Sequence, residues 1–135
     1  MYQQMIFVNL AVDDVDASKK FFTELGYTIN PQFTTDDCAC VVISDTIIAM
    51  LLGKRRYADF TRKEIADPTR TSEVLLCLSA ESREKVDELV GKAIAAGGRA
   101  TGEPTDEGFM YGRSFDDLDG HTWEIVWMDP AAVQG

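Results

Sequence analysis

One histidine, three cysteines and no long apolar run are the scarcities that bound this 135-residue chain. His121 is the only ring-nitrogen ligand, so a metal shell built on several imidazoles is excluded. A cysteine nucleophile paired with a histidine base would have to use that same residue, and is not favoured. The three cysteines are an odd number and include no Cys-x-x-Cys. Cys38 and Cys40 stand two apart, so in a strand they share a face without disulfide geometry. All three read as small buried hydrophobes in a reducing cytoplasm. The longest apolar run, Ile47 to Leu52, is far too short to cross a bilayer. Met1 to Leu10 has no cationic region ahead of an apolar one, so no signal peptide is expected and the predicted location is cytoplasmic. Positive charge is scarce as well: 13 Lys and Arg stand against 23 Asp and Glu, a net charge of -10. That balance argues against nucleic-acid binding, which needs a basic footprint, and favours solubility.

The most informative stretch runs from Phe115 to Trp127, FDDLDGHTWEIVW. It reads as the end of one strand, a tight acidic turn and a second strand. Asp119-Gly120 is a hairpin signal, because the pair tolerates the positive φ of two-residue turns. Beyond the turn, Trp123, Ile125 and Trp127 point to one face, and Thr122, Glu124, Val126 and Met128 to the other. Glu124 is therefore a carboxylate in mid-strand among large apolar residues, where glutamate is disfavoured.

Elsewhere the spacing predicts a strand over 5–12, and a helix from Val15 to Leu25 capped by Asp13 or Asp14 and ended by Gly26. Strands follow over 28–33, 39–43 and 47–52. The segment 53–71 is locally basic, with Lys54, Arg55, Arg56, Arg62, Lys63 and Arg70, and reads as a connector or as a rim attracting an anionic ligand. Tyr57, Phe60 and Ile65 could anchor a short helical turn in it. The order then repeats: a strand over 73–78, a helix over 82–96 with Val86, Leu89, Val90, Ala93 and Ile94 on its apolar face, and strands over 99–102, 109–115 and 122–128. Two βαβββ units in tandem are an internal duplication. Overlaid, Val12 matches Leu78, Phe7 matches Glu73, and the strand around Met50 matches the strand around Glu124.

These residues resemble a known family. Val8-Asn9-Leu10-Ala11-Val12-Asp13-Asp14-Val15 with Ser18, Phe21-Phe22 and Leu25-Gly26-Tyr27 is similar to the first module of the vicinal oxygen chelate superfamily. Phe115 to Trp127 resembles its closing Asp-x-Asp-Gly-His…Trp-Glu motif. The superfamily includes glyoxalase I, bleomycin-resistance proteins, fosfomycin-resistance enzymes and extradiol dioxygenases. The resemblance implies an α+β fold in which two tandem βαβββ modules, about 1–68 and 69–129 with a tail over 130–135, form a curled mixed sheet around a cavity as a single domain. It implies a homodimer. It also implies a divalent-metal site at four positions, which here carry Phe7, Met50, Glu73 and Glu124. Phe7 and Met50 cannot ligate a hard ion, so the shell is incomplete: no metal, or a weakly held Mg²⁺, Mn²⁺, Ni²⁺ or Zn²⁺ on Glu73 and Glu124.

If both carboxylates face the cavity, they are the candidate catalytic acid and base. The bland alternative pairs Glu73 with Arg113 or Arg70. Arg113 and Tyr111 share a strand face and could grip an anionic group, while Asn9, Phe7 and Met50 would supply the remaining ligand contacts. His121 reads as a turn residue bonding locally. The expected function is binding or sequestering of an aromatic or anionic small molecule. A metal-dependent lyase or dioxygenase is the alternative, and a non-catalytic interaction domain the second.

Overall fold

Asp14 and Ser82 start the chain's two long helices in the same way. The Asp14 carboxylate accepts from the Ala17 amide at 3.0 Å, and the Ser82 hydroxyl accepts from the Lys85 amide at 3.1 Å. Each cap satisfies an amide that a helix start leaves unpaired. A computed structural model of the chain describes residues 1–132, so 133–135 of the expected tail lie outside the described residues. The chain divides into two compact units, one ending at Ala66 and the other beginning at Asp67.

The first unit runs β1 (Ile6–Val12), α1 (Val15–Glu24), β2 (Thr28–Ile29), β3 (Cys38–Val42), β4 (Ile47–Gly53) and α2 (Lys54–Ala58). Its sheet has the order β1-β4-β3-β2, with β1 parallel to β4 and the other pairs antiparallel. Val15, Ser18, Phe21 and Phe22 form the buried stripe of α1, and the two rings meet edge to face at 5.0 Å. Leu10, Val12, Ala39, Val41, Ala49 and Leu51 are buried on one face of the strands, and Ala11, Cys40, Ile48 and Leu52 are buried on the other. Gly26 closes α1 at φ +106°. The strand expected over 28–33 is shorter than predicted. Pro31 has no amide to give a ladder, and Pro31–Phe33 instead form a 3-10 turn whose Gln32 amide bonds the Asn30 side chain at 3.0 Å.

The second unit runs β5 (Leu75–Ser79), α3 (Arg83–Ala95), β6 (Arg99–Ala100), β7 (Thr105–Asp106), β8 (Met110–Asp116) and β9 (Thr122–Met128). Here β5 lies parallel to β9, β9 and β8 are antiparallel, and β6 and β7 both pair with β8. Val86, Val90 and Ala93 of α3 are fully buried, whereas Ile94, expected on the same face, is 40% exposed. β7 has no sequence counterpart in the first unit. Arg83 holds the loop that follows it, with a two-toothed bond to Asp106 at 2.8 and 2.9 Å and a bond to the Gly108 carbonyl at 2.9 Å. That guanidinium keeps the Asp106 pKa low, at about 2, and lies 5.2 Å from the ring centres of Tyr111 and Trp127.

The class is α+β, with a βαβββ order in the first unit ahead of its short α2, the same order enlarged by the two-residue β7 in the second, and two sheets that do not close on themselves. Among the described residues no helix is long and apolar enough to cross a membrane.

Candidate functional site

Strand register decides which side chains share a face. In the first unit Leu10 pairs with Leu51 and supports the packing under α1, so Phe7 with Ile48, and Asn9 with Met50 and Cys40, stand on the opposite face. α2 packs against β1 and β4. A pocket of about 290 Å³ is lined there by Asn9, Leu52, Tyr57, Phe60 and Thr61. Phe60 carries the Arg56 guanidinium 5.0 Å from its ring centre, and Lys54, Arg55 and Arg56 make α2 cationic. Asn9, Met50 and Phe7 are thus brought to one face, with Phe7 55% exposed. The basic segment contributes both the helix and part of the pocket wall.

In the second unit Glu124 pairs with Cys77 on one side and Ser114 on the other. It faces away from Phe115, Trp123 and Ile125, which are buried. A smaller pocket of about 110 Å³ touches Glu124, Ser114, Glu103 and Thr105. Of the three cysteines expected to be buried only Cys40 is, with Cys38 half-buried and Cys77 exposed at the sheet-edge strand β5; partial desolvation and then the Glu124 charge push the Cys77 thiol up in pKa. Tyr111 and Arg113 stand on the other face, opposite Trp127 and Ile125. Both are engaged by Asp87 of α3, the Tyr111 hydroxyl at 2.7 Å and Arg113 at 3.1 Å. They are tied to the helix, not gathered around Glu124, and Arg113, one of the two alternative partners for Glu73, is paired with Asp87 instead.

Glu73 lies two residues before β5, in a loop. Counting back from the helix caps puts Leu75 where Phe7 stands, and the ladders agree: Asn9 pairs with Met50 as Cys77 pairs with Glu124. The overlay of Phe7 on Glu73 is therefore out of step by one full strand repeat. It kept the correct face and so raised no conflict in the alternation.

Glu73 instead approaches the acidic turn. The turn is wider than a two-residue hairpin: Asp116 pairs with Thr122, and the loop runs from Asp117 to His121. Only Gly120 within it has positive φ, at +98°. Asp117, 6% exposed, organises the loop. Its carboxylate accepts from the Asp119 and His121 amides at 3.0 Å each, from Trp123 Nε1 at 3.0 Å and from His121 Nδ1 at 3.1 Å. His121, 2% exposed, has its Nε2 3.4 Å from Glu73 Oε1. Burial is the largest influence on the imidazole and lowers its pKa. The hydrogen bond to Asp117 and the charges of Asp117, Asp119 and Glu73 outweigh it and raise the value above 6.5. Sequence reasoning saw an acidic turn here but not the buried carboxylate; the available signal was an aspartate four residues before the only histidine.

This has a measurable consequence. The folded value stands above the unfolded one, so the stability His121 contributes is fully present below pH 6.5 and is lost as pH rises through the folded value. An NMR titration of the single histidine is expected to place its midpoint above 6.5, and Asp117→Asn is expected to lower it. A midpoint unmoved by that substitution would show that Asp117 does not control the ring.

The N-terminal part of the chain, residues 4–44, matches the family model described as bleomycin resistance protein-like N-terminal. The fold is similar to that of SA1046, a hypothetical protein of S. aureus, with TM-score 0.77 and 32% identity over 94% of this chain and 95% of that one. A glyoxalase/bleomycin resistance protein/dioxygenase family enzyme from Burkholderia phytofirmans superposes with TM-score 0.76 at 19% identity, covering 93% and 99% of the two chains. A glyoxalase-related enzyme from Fulvimarina pelagi gives TM-score 0.77 at 20% identity, covering 93% and 88%. The chain belongs to the vicinal oxygen chelate superfamily. No protein of curated function matches it significantly.

The superfamily's metal shell does not fit the residues present. By register its four positions hold Phe7, Met50, Leu75 and Glu124, and only the last offers a donor that a hard divalent ion accepts. Asp117, Asp119 and His121 do bring possible ligand atoms within 4.8 Å of one another. Asp117, however, already accepts four hydrogen bonds that hold the loop closed, so it is occupied as a structural anchor.

Proposed function

We propose that this protein binds an aromatic or anionic small molecule on the open face of its first sheet, in the manner of a sequestering protein. The pocket formed by Asn9, Leu52, Tyr57, Phe60 and Thr61 carries the reading. Its two rings offer stacking surface, Asn9 and Thr61 offer a few oriented polar contacts, and the cationic α2 favours a negative group. The absence of hard donors at Phe7, Met50 and Leu75 argues against a lyase or dioxygenase reaction on a family-type metal. Free thiols at Cys38, Cys40 and Cys77 accord with a cytoplasmic setting. We further propose a homodimer, for which the exposed Ile6, Phe7 and Leu75 of the sheet-edge strands offer apolar surface.

The test is a thermal-shift screen of aromatic carboxylates, run with and without EDTA. A ligand that binds only the folded chain raises Tm. Its affinity is expected to fall about ten-fold in Phe60→Ala, the order of one lost aromatic contact of ~1.4 kcal/mol, and to be unchanged in Glu124→Gln. A metal-dependent rise in Tm that Glu124→Gln abolishes would overturn the reading in favour of a metal-dependent enzyme.

A further inference from the structure

Another pocket, of about 240 Å³, opens beside the acidic turn between residues 68–74 and 120–122. His121 forms part of its wall. The ring is fixed by Asp117 at Nδ1, 3.1 Å from both carboxylate oxygens. With that proton on Nδ1, Nε2 presents a lone pair. Nε2 is buried and has no hydrogen-bond partner. Glu73 Oε1 lies across from it at 3.4 Å.

When the ring is neutral, two acceptors face each other at 3.4 Å, and the opposition is relieved either by a proton on Nε2, as an imidazolium–carboxylate pair, or by a metal ion that displaces that proton. The width of the gap also suits a metal ion. With metal–nitrogen and metal–oxygen bonds of about 2.0–2.2 Å at a tetrahedral angle, two ligand atoms stand roughly 3.3–3.5 Å apart. The arrangement behind the ring also fits. A metal-binding histidine usually donates its other N–H to a carboxylate, which fixes the tautomer and makes the ligand nitrogen more basic; Asp117 occupies that place. The loop bearing Glu73 is pinned by Asp67, whose side chain accepts from the Thr69 amide and hydroxyl at 3.0 and 2.6 Å.

We propose that His121 Nε2 and the Glu73 carboxylate form a binding site for a borderline divalent transition-metal ion, Zn²⁺ being the type case, with Asp117 orienting the ring from behind. Pocket water completes the coordination. The imidazole selects against Mg²⁺ and Ca²⁺, which take oxygen ligands. This site is separate from the superfamily's four positions, since neither His121 nor, by strand register, Glu73 occupies one. The ion competes with a proton for Nε2, so binding strengthens as pH rises.

The chain's single histidine makes the test clean. Zn²⁺ is titrated into ¹⁵N-labelled full-length protein at pH 8 while the imidazole nitrogens are followed by long-range ¹H–¹⁵N correlation. Zinc captured by Cys38, Cys40 or Cys77 leaves these resonances in place. The expected result is a saturable shift of Nε2 with Nδ1 still protonated, no shift with Mg²⁺, and affinity at least about ten-fold weaker in Glu73→Gln but unchanged in Glu124→Gln. An Nε2 resonance that millimolar Zn²⁺ leaves unmoved would overturn the proposal, as would a Glu73→Gln protein that titrates like the parent. Glu73 sits in an exposed loop, so its substitution leaves the fold intact, and the wild-type titration needs no variant. The small-molecule reading stands or falls on Phe60 and Asn9, independently of this result.

Discussion

Asp117→Ala is expected to lower the free energy of unfolding by about 3–5 kcal/mol, the range for removing one partner of a buried charged network. The carboxylate is the common acceptor for two backbone amides, the Trp123 indole and the His121 ring. Alanine leaves all four donors facing protein, and each orphaned buried donor costs roughly 1–3 kcal/mol, less than additively when they share a site. Against a total stability of about 5–15 kcal/mol such a loss is large. Asp117→Asn keeps the shape and one acceptor oxygen, but turns an NH₂ towards remaining donors, so it should fall between the two. Urea denaturation followed by tryptophan fluorescence measures both, since Trp123 reports on the turn directly. An alanine variant within 1 kcal/mol of the parent, below the cost of even one orphaned donor, would show that water reaches these groups and that the network is not what closes the loop.

Gly120→Ala is the second large effect, expected at roughly 2–4 kcal/mol from positive-φ strain and overpacking together. The residue has φ +98°, and a methyl group there would sit 3.1 Å from the Pro68 carbonyl carbon and the Thr69 amide nitrogen and 3.2 Å from the Pro68 oxygen. These are backbone atoms and cannot swing aside. Gly26 is the matched control. Its φ is +106°, but nothing lies within 4 Å of an added methyl, so Gly26→Ala should cost only the conformational term, about 1 kcal/mol. Equal costs at the two positions would mean that the 68–69 segment yields easily and does not brace the turn.

Much of the architecture was legible because local signals and burial agree. Thr122–Ile125 alternates polar and buried apolar residues, and the helices announce themselves by Asp14, Ser82 and their apolar spacing. Pro31 is the residue that stops the strand after Thr28 early, since it brings no amide to the ladder. Thr105–Asp106 was not legible: a two-residue strand has no periodicity, and this one is held by Arg83 from a distant helix. The site was harder still. Alternation fixed Glu124's face but not its neighbours, since which residues lie opposite depends on the width of the Asp117–His121 loop. That width followed from a buried carboxylate, where Asp119-Gly120 alone suggested a tighter hairpin. Glu73 falls out of step because the spacing between strand and helix matches poorly at the two helix starts, where the caps Asp14 and Ser82 set the true offset.

The parallel pairing of first with last strand in each unit has a kinetic corollary. Ile6 meets Ile47 and Leu75 meets Thr122, so β1 and β5 have no backbone partner until nearly their whole unit has left the ribosome. Hairpins β3–β4 and β8–β9 can form early from local contacts, but each sheet is finished only by a long loop closure, the slow and entropically costly kind of step. Until then two apolar strands wait with unpaired edges, and this interval is where nascent chains are most exposed to misassociation.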